Sequence, residues 1–417
     1  MKINQIPIPV AYSTDFEGEH LREKQLYVEL GNKASPAIEL LISKNLNEIE
    51  DGLIELIGKD IHSLCPGEKA LPFAVIIETA GRKMQKDFEP ILERQIHRFI
   101  NYASGIAHIG QRDTARVRIS QDSFNKGLRL KHLGVMLYEM FHQQYSAIID
   151  KIQIKLYTCQ DDVDKLKSTA KRIFEQRDQR INGITDESVD TYYSCSICQS
   201  FAHNHVCIIT PERSGLCGAY SWLDAKASYE NIPSGPNLPI EKGQVLDERF
   251  GQWKNVNEFI YDKSNKTIDR VNMYSLIDSP QPSCGTPECI AAIIPEVNGI
   301  MVVHRNYPGM TPVGMTFNTL ASVTGQGRQT PGFLGIALQY ITSKKFILAE
   351  GGLKRLVWMP KELKELLKNK LEKRAQDIDA AGIIDKIADE IITVDLEQLQ
   401  EFLQKTRHPA LEMGRLV

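Results

Sequence analysis

The sequence predicts two mixed domains, an α/β domain over residues 1–188 followed by a loop-rich α+β domain over 189–417. Three observations predict this. A chain of 417 residues exceeds one ordinary core, since single cores stop growing near about 250 residues. The first half alternates short apolar runs with helical periodicity, the pattern of strands and helices packed in layers. The second half is richer in Gly and Pro and carries four cysteines between 195 and 217, so a metal held by those cysteines is expected to organise its loops.

Composition sets the frame. Hydrophobic content of 42%, charged content of 25% and mean hydropathy of −0.28 give enough apolar mass for two cores and argue against disorder. Fifty basic against 53 acidic residues leave a charge of −3, which argues against a phosphate-neutralising grip on nucleic acid. The opening residues have no apolar run before Asp15 and Glu17, so no secretory signal is read there and a cytoplasmic location is expected. The most apolar stretch, Ile290 to Val303, is broken by Pro295, Glu296 and Asn298 and falls short of the ~20 residues of a membrane span.

Taken in order, Phe73 to Glu78 is an apolar run between Pro72 and Gly81 and predicts a buried strand. Phe88, Ile91, Leu92, Ile96, Phe99 and Ile100 recur at helical steps and predict a helix with a packed face. Thr114 to Ser120 alternates, with Ala115, Val117 and Ile119 on one face and Arg116 and Arg118 on the other. Two adjacent guanidinium groups suit either a solvated strand face or the phosphates of a ligand such as coenzyme A. Lys151 to Tyr157 repeats the alternation, and Val163, Leu166, Ile173 and Phe174 mark the next helix. The polar run from Arg180 to Thr191, with Asn182-Gly183, predicts the domain boundary. Farther on, Asn231 to Pro239 reads as loop, Pro360 opens a helix through Leu371, and Asp395 caps another through Leu403. The run Gly325 to Gly335 lacks the Lys-Ser/Thr ending of a phosphate-binding loop and reads as a turn-rich loop. His97, His132 and His142 lie on helical stretches as packing or surface residues, and no hydrolase signature accompanies them.

The cysteines carry the chemistry. Cys65 and Cys159 stand alone, Cys284 and Cys289 form a late pair, and Cys195, Cys198, Cys207 and Cys217 have the spacing Cys-x2-Cys-x8-Cys-x9-Cys. Four thiolates in one loop can close on one centre, and soft sulfur donors select zinc or an iron-sulfur cluster, between which spacing does not choose. His203 and His205 are candidate ligands or neighbours of that centre.

Over nearly its whole length the chain resembles acetyl-CoA synthase. The stretches that carry the resemblance are Phe16 to Glu19, Tyr27 to Leu30, Ala80 to Pro90 (AGRKMQKDFEP), Glu93 to His97, Asn101 to Gly105, Gly110 to Asp113, Thr185 to Thr191 (TDESVDT), the four-cysteine block, Gly215 to Ala219, Trp222 to Lys226, parts of Thr316 to Gly327, Gln329 to Phe333 and Val357 to Leu363 (VWMPKEL). The resemblance implies an anaerobic acyltransferase of the Wood-Ljungdahl carbon-fixation pathway, which assembles or cleaves acetyl-CoA from CO, a methyl group and coenzyme A. Bacterial members carry an additional N-terminal domain that docks carbon monoxide dehydrogenase, and this chain resembles the other two domains.

The resemblance also implies a site. A four-iron four-sulfur cubane falls on Cys195, Cys198, Cys207 and Cys217, with Cys198 bridging to nickel, and Phe201 resembles the aromatic that covers the reactive metal. Cys284, Gly285 and Thr286 fall on the tripeptide that holds a second nickel, and Arg116 and Arg118 fall near the coenzyme A site. Implied partners are coenzyme A, CO, a corrinoid iron-sulfur protein as methyl donor and carbon monoxide dehydrogenase. Three departures stand out: Thr286 replaces the second cysteine of Cys-Gly-Cys, His203 replaces a proline, and Arg116 replaces a tryptophan. The alternative reading is a divergent relative that keeps the cubane, lacks the two-nickel site, and serves electron transfer, regulation or assembly.

Overall fold

A computed structural model describes residues 5–6, 26–31, 38–103 and 117–416. Arg116, with the rest of 114–116 at the start of the strand expected over 114–120, and several of the N-terminal stretches quoted above lie outside the described residues. The chain divides into two compact units, residues 1–183 with 230–232, and residues 184–229 with 233–417.

In the first unit the strands are β1 (Leu26–Leu30), β2 (Ile38–Ser43), β3 (Ile54–Ile57), β4 (Glu68–Leu71), β5 (Ala74–Ala80), β6 (Val117–Ser120) and β7 (Lys151–Tyr157). Its helices are α1 (Glu89–Ala103), α2 (Gln121–Asn125), α3 (Leu130–Gln144) and α4 (Gln160–Asn182). The main sheet runs β2-β5-β7-β3, with β5 and β7 antiparallel at its centre and a parallel strand on either side. Alternation along the strands sends Ile38, Leu40, Ala74 and Ile76 to the face covered by Val163 and Ala170 of α4. The intervening Leu41, Val75 and Ile77 are equally buried, so both faces are covered, as an α/β layer requires.

A smaller sheet, β4-β1-β6, sets Glu29 opposite Arg118 in antiparallel register. That cross-strand pair is an ion pair of 3.1 Å beside a carboxylate that is 6% exposed. Arg118 is thus matched by an anion of its own sheet rather than standing on a solvated face.

The second unit contains β8 (Thr191–Cys195), β9 (Cys207–Ile209), α5 (Trp222–Asn231), β10 (Pro239–Glu241), β11 (Val245–Asp247), β12 (Gln252–Trp253), α6 (Lys254–Lys263), β13 (Cys289–Ile294), β14 (Gly299–His304), α7 (Phe317–Thr324), β15 (Phe333–Ile336), α8 (Leu338–Ile341), β16 (Leu356–Trp358), α9 (Lys361–Asp377) and α10 (Leu396–Thr406). The last two residues of α5, with Ile232, cluster with the first unit, where Glu230 pairs with Lys83 and Asn231 donates to the Gln144 carbonyl. Local sequence holds no sign of this discontinuity, because it arises from pairings between residues far apart in the chain.

The stretch Ile290 to Val303 is a hairpin, β13 and β14, turned by Pro295 with Asn298 at φ 52°. Its sheet, β15-β13-β14-β16, is covered twice. Cys289, Ala291 and Val302 face Leu363, Leu367 and Leu371 of α9, while Ile290, Ala292 and Val303 face Phe317 and Leu320 of α7 and Leu399 and Leu403 of α10. Burial on both faces makes this sequence uniformly apolar rather than alternating. Among the described residues no helix is long and apolar enough to cross a membrane.

Candidate metal centre

The sheet β10-β8-β9 carries the first half of the site. Cys195 ends β8 and Cys207 begins β9, and the two are direct antiparallel partners, so their side chains leave the same face. That face packs with Tyr193, Ile209, Leu216 and Ala225, and the opposite face with Tyr192, Val206 and Ile208 belongs to a separate apolar cluster. Cys198 lies in a single 3-10 turn, Ile197–Ser200, whose carbonyl at Cys198 accepts from the N–H groups of Phe201 and Ala202. Phe201 is 56% exposed.

Cys217 lies within a turn in which Gly218 has φ 79° and donates to the Gly215 carbonyl. Its own carbonyl accepts from Arg305 Nη2 at 2.7 Å, and the Leu216 carbonyl accepts from the Glu288 N–H at 2.7 Å, which fixes this loop to the start of β13. Cys284, 1% exposed, arrives from the chain just before β13. Its neighbour Ser283 accepts from the Gly327 N–H at its carbonyl and from the Gly335 N–H at its hydroxyl. Thr286 places its hydroxyl 3.7 Å from Cys284 Sγ.

All eight cysteines are free thiols. Cys195, Cys198, Cys207, Cys217 and Cys284 lie close enough for each to act electrostatically on its neighbours. Burial pushes the Cys195 and Cys207 thiols up, because a thiolate loses its water there. The hydrogen bond to Cys284 pushes Cys198 up, and the same bond brings Cys284 down to about 6 against the opposing effect of burial. Sulfurs close enough to act on one another in this way are sulfurs whose protons a cation can replace.

Two histidines of the loop part company. His203 is exposed, with Nδ1 3.1 Å from the Gln199 carbonyl. His205 is fully buried, with Nε2 3.1 Å from Cys207 Sγ and Nδ1 lacking a hydrogen-bond partner. Burial pushes its imidazole down to about 4, opposed by the Pro282 backbone, so the ring is neutral. Cys198 Sγ, Cys284 Sγ and one nitrogen of His205 all lie within 4.8 Å of one another. Arg213, 1% exposed, closes the turn after β9, donates to the Met273 carbonyl and sits 4.9 Å from the Tyr340 ring centre, bringing a buried positive charge near Cys207.

The turn-rich loop after α7 proves to be part of this site. A Cβ on Gly325 would meet the Gly285 Cα at 3.2 Å, and one on Gly327, at φ 72°, would meet the His205 backbone nitrogen at 2.8 Å. Only glycine permits both that backbone and that approach. Gly327→Ala is therefore expected to destabilise the second unit by at least about 1–2 kcal/mol from the left-handed backbone alone, read as a lower urea midpoint with loss of iron retention. The spacing Gly-Gln-Gly is the signal that marked the loop, though not what it contacts. Cys289 is in a different place: it lies fully buried in the apolar cluster under α9, where burial pushes its thiol up.

Two family profiles cover the chain: that of the CO dehydrogenase/acetyl-CoA synthase complex beta subunit over residues 8–163, and that of the C-terminal region of the ACS/CODH beta subunit over 174–417. The chain is 48% identical over 415 residues to the carbon monoxide dehydrogenase/acetyl-CoA synthase subunit alpha of Moorella thermoacetica, covering 99% of this chain and 57% of that one. It is 40% identical to the acetyl-CoA decarbonylase/synthase complex subunit beta of Methanopyrus kandleri, covering 97% of this chain and 85% of that one. Against subunit beta 1 of the same complex from Methanocaldococcus jannaschii it is 41% identical and spans 53% of the relative's length. A solved C-terminal domain of an acetyl-coenzyme A synthase alpha subunit is 48% identical over 32% of this chain and all of that one, with a TM-score of 0.31. The matched profiles and these identities place the chain in the beta-subunit family of the carbon monoxide dehydrogenase/acetyl-CoA synthase complex.

Proposed function

We propose that the chain is an acetyl-CoA synthase, a CO-methylating acyltransferase that assembles or cleaves acetyl-CoA from CO, a methyl group and coenzyme A. The observation that supports it is the gathering of five free thiols, four from the segment between 195 and 217 and Cys284 from before β13, into one cluster of the second unit.

The donor set fits an iron-sulfur cubane. Cys195, Cys198, Cys207 and Cys217 supply four sulfurs with no disulfide among them, from a strand pair, a turn and a loop fixed by hydrogen bonds. It does not fit a second nickel in a plane of two thiolates and two amides, because Thr286 offers a neutral, hard hydroxyl where a thiolate is needed. A nickel beside the cubane, held by the Cys198 and Cys284 sulfurs, would supply a soft, electron-rich centre able to accept both CO and a methyl group.

The chain's own residues position and protect that centre. Cys198 and Cys284 are hydrogen-bonded to each other, so a cation bound by both would take the place of their protons. Phe201 sets an apolar ring on the turn that carries Cys198, which reduces the water competing for the site. We assign the phosphates of coenzyme A to Arg116 and Arg118; Arg118 keeps Glu29 as its counter-charge, so its share of the anion's binding is set against that ion pair. Partner subunits are a corrinoid iron-sulfur protein as methyl donor and carbon monoxide dehydrogenase as the source of CO.

The test is exchange of labelled CO with the carbonyl of acetyl-CoA under anaerobic conditions. Exchange by the natural protein is the expected result. If only Thr286→Cys exchanges label, the natural chain is a cluster-bearing relative without synthase activity, and this reading fails.

A further inference from the structure

Replacement of a cysteine by Thr286 removes the sulfur that two nickel ions would share, and Cys289 does not restore it, since that thiol is buried beneath α9. What the fold offers instead is a compact mixed set: Cys198 Sγ, Cys284 Sγ and a His205 ring nitrogen, mutually within 4.8 Å. Ligands bound to one ion at about 2.0–2.3 Å each stand at most about 4.6 Å apart, so a set within 4.8 Å needs only a small contraction to close on a single ion.

We propose that this chain holds one late first-row metal ion, nickel for the proposed activity, on Cys198, Cys284 and His205, a two-sulfur one-nitrogen site in place of a two-nickel one. The inference rests on the reading of the four-cysteine loop as the cubane pocket. Three observations carry it. The ligands come from separate elements, the turn after β8, the segment leading into β9 and the chain before β13, and each is fixed locally: Cys198 by its 3-10 turn, Cys284 through Ser283, and His205 by the close approach of Gly327. The imidazole is wholly buried, and its Nδ1 makes no hydrogen bond of good geometry, with the Pro282 backbone lying near the ring. Its other nitrogen is 3.1 Å from Cys207 Sγ. Once Cys207 is a thiolate, Nε2–H donates to that sulfur, and this tautomer leaves the Nδ1 lone pair free for an ion. Thr286, 3.7 Å from Cys284 Sγ, remains beside the ion as a hard oxygen that contributes little to a soft centre.

The experiment uses the full chain purified anaerobically with its iron, then titrated with nickel(II) and, in a parallel arm, zinc(II). Metal analysis and nickel-edge X-ray absorption are the readouts. The expected result is about one nickel per chain with sulfur and imidazole scatterers, a loss of nickel affinity of about tenfold or more in His205→Ala, and about two nickel per chain in Thr286→Cys. Iron content and the visible charge-transfer band report whether His205→Ala keeps its fold and cubane. If they are lost, absorption of the natural protein decides alone: absence of imidazole scattering overturns the proposal. Two nickel ions in the natural protein, no nickel, a site that takes zinc to the exclusion of nickel, or unchanged nickel affinity in a cluster-bearing His205→Ala also overturns it. A protein with the single mixed site that exchanges no labelled CO keeps the inference and sinks the functional reading. One that exchanges CO with two nickel ions does the reverse.

Discussion

Cys207→Ala is expected to leave the chain without its cubane, with iron per chain falling by more than about tenfold and the visible charge-transfer band disappearing. The size of the effect follows from where this sulfur sits. Cys207 is fully enclosed, faces Cys195 across an antiparallel pair and has His205 Nε2 3.1 Å away, so no water or neighbouring carboxylate can take its place. The same burial means that the metal-free natural protein carries a thiol held strongly protonated, and alanine there removes little stability from the empty state. The substitution should therefore separate two quantities. The unfolding midpoint of metal-free protein moves little, while the difference between loaded and metal-free protein vanishes, because ligand binding to the native state is what stabilises it. A variant that retains its iron and its spectrum would show that the cubane rests on other sulfurs.

How much of this was open to the sequence varies by element. β7 coincides with the alternating run Lys151 to Tyr157, and the helix after Asp395 begins where its side chain accepts from the Gln398 N–H, because period and cap are local properties. Pairing order was closed to it: nothing in β5 or β7 states that they run antiparallel within a sheet whose outer pairs are parallel. Nor could alternation reveal that Arg118 faces Glu29, since cross-strand partners are set by register. At the site, spacing alone gathered four cysteines, and resemblance was needed to choose iron-sulfur over zinc. The approach of Cys284, the burial of His205 next to the exposed His203, and the seating of Gly327 on His205 are tertiary facts. Sequence could supply those residues as candidates but not their convergence.

In the first unit the largest effect is expected from Arg177→Met, which should destabilise that unit by about 3–5 kcal/mol, the cost of leaving buried charge without its partner. Arg177 is 3% exposed, donates to Glu89 at 2.9 Å and to Glu93 at 2.7 Å, and also donates to the Leu41 carbonyl, tying α4 to α1 and β2. The two carboxylates in turn accept from the backbone N–H groups of Ser43 and Leu41, so the cluster satisfies β2 along its edge. Burial pushes the Glu93 carboxyl up even against the Arg177 charge, and without the guanidinium only the Leu41 N–H still opposes that push. The sign of the pH dependence follows. A carboxyl whose folded pKa lies above its unfolded value of about 4.3 favours the folded state when protonated, so the penalty is complete above the folded pKa and fades as pH falls toward the unfolded one. Calorimetry of the full chain should show the first unit's transition lowered by roughly 10 °C at neutral pH, with the gap to the natural protein narrowing in acid. Adding Glu89→Gln and Glu93→Gln should recover much of the loss, because the damage in Arg177→Met is the pair of stranded carboxylates rather than the lost bond. An equal penalty at pH 7 and in acid, or no recovery in the triple variant, would assign the effect to packing of the arginine stem instead.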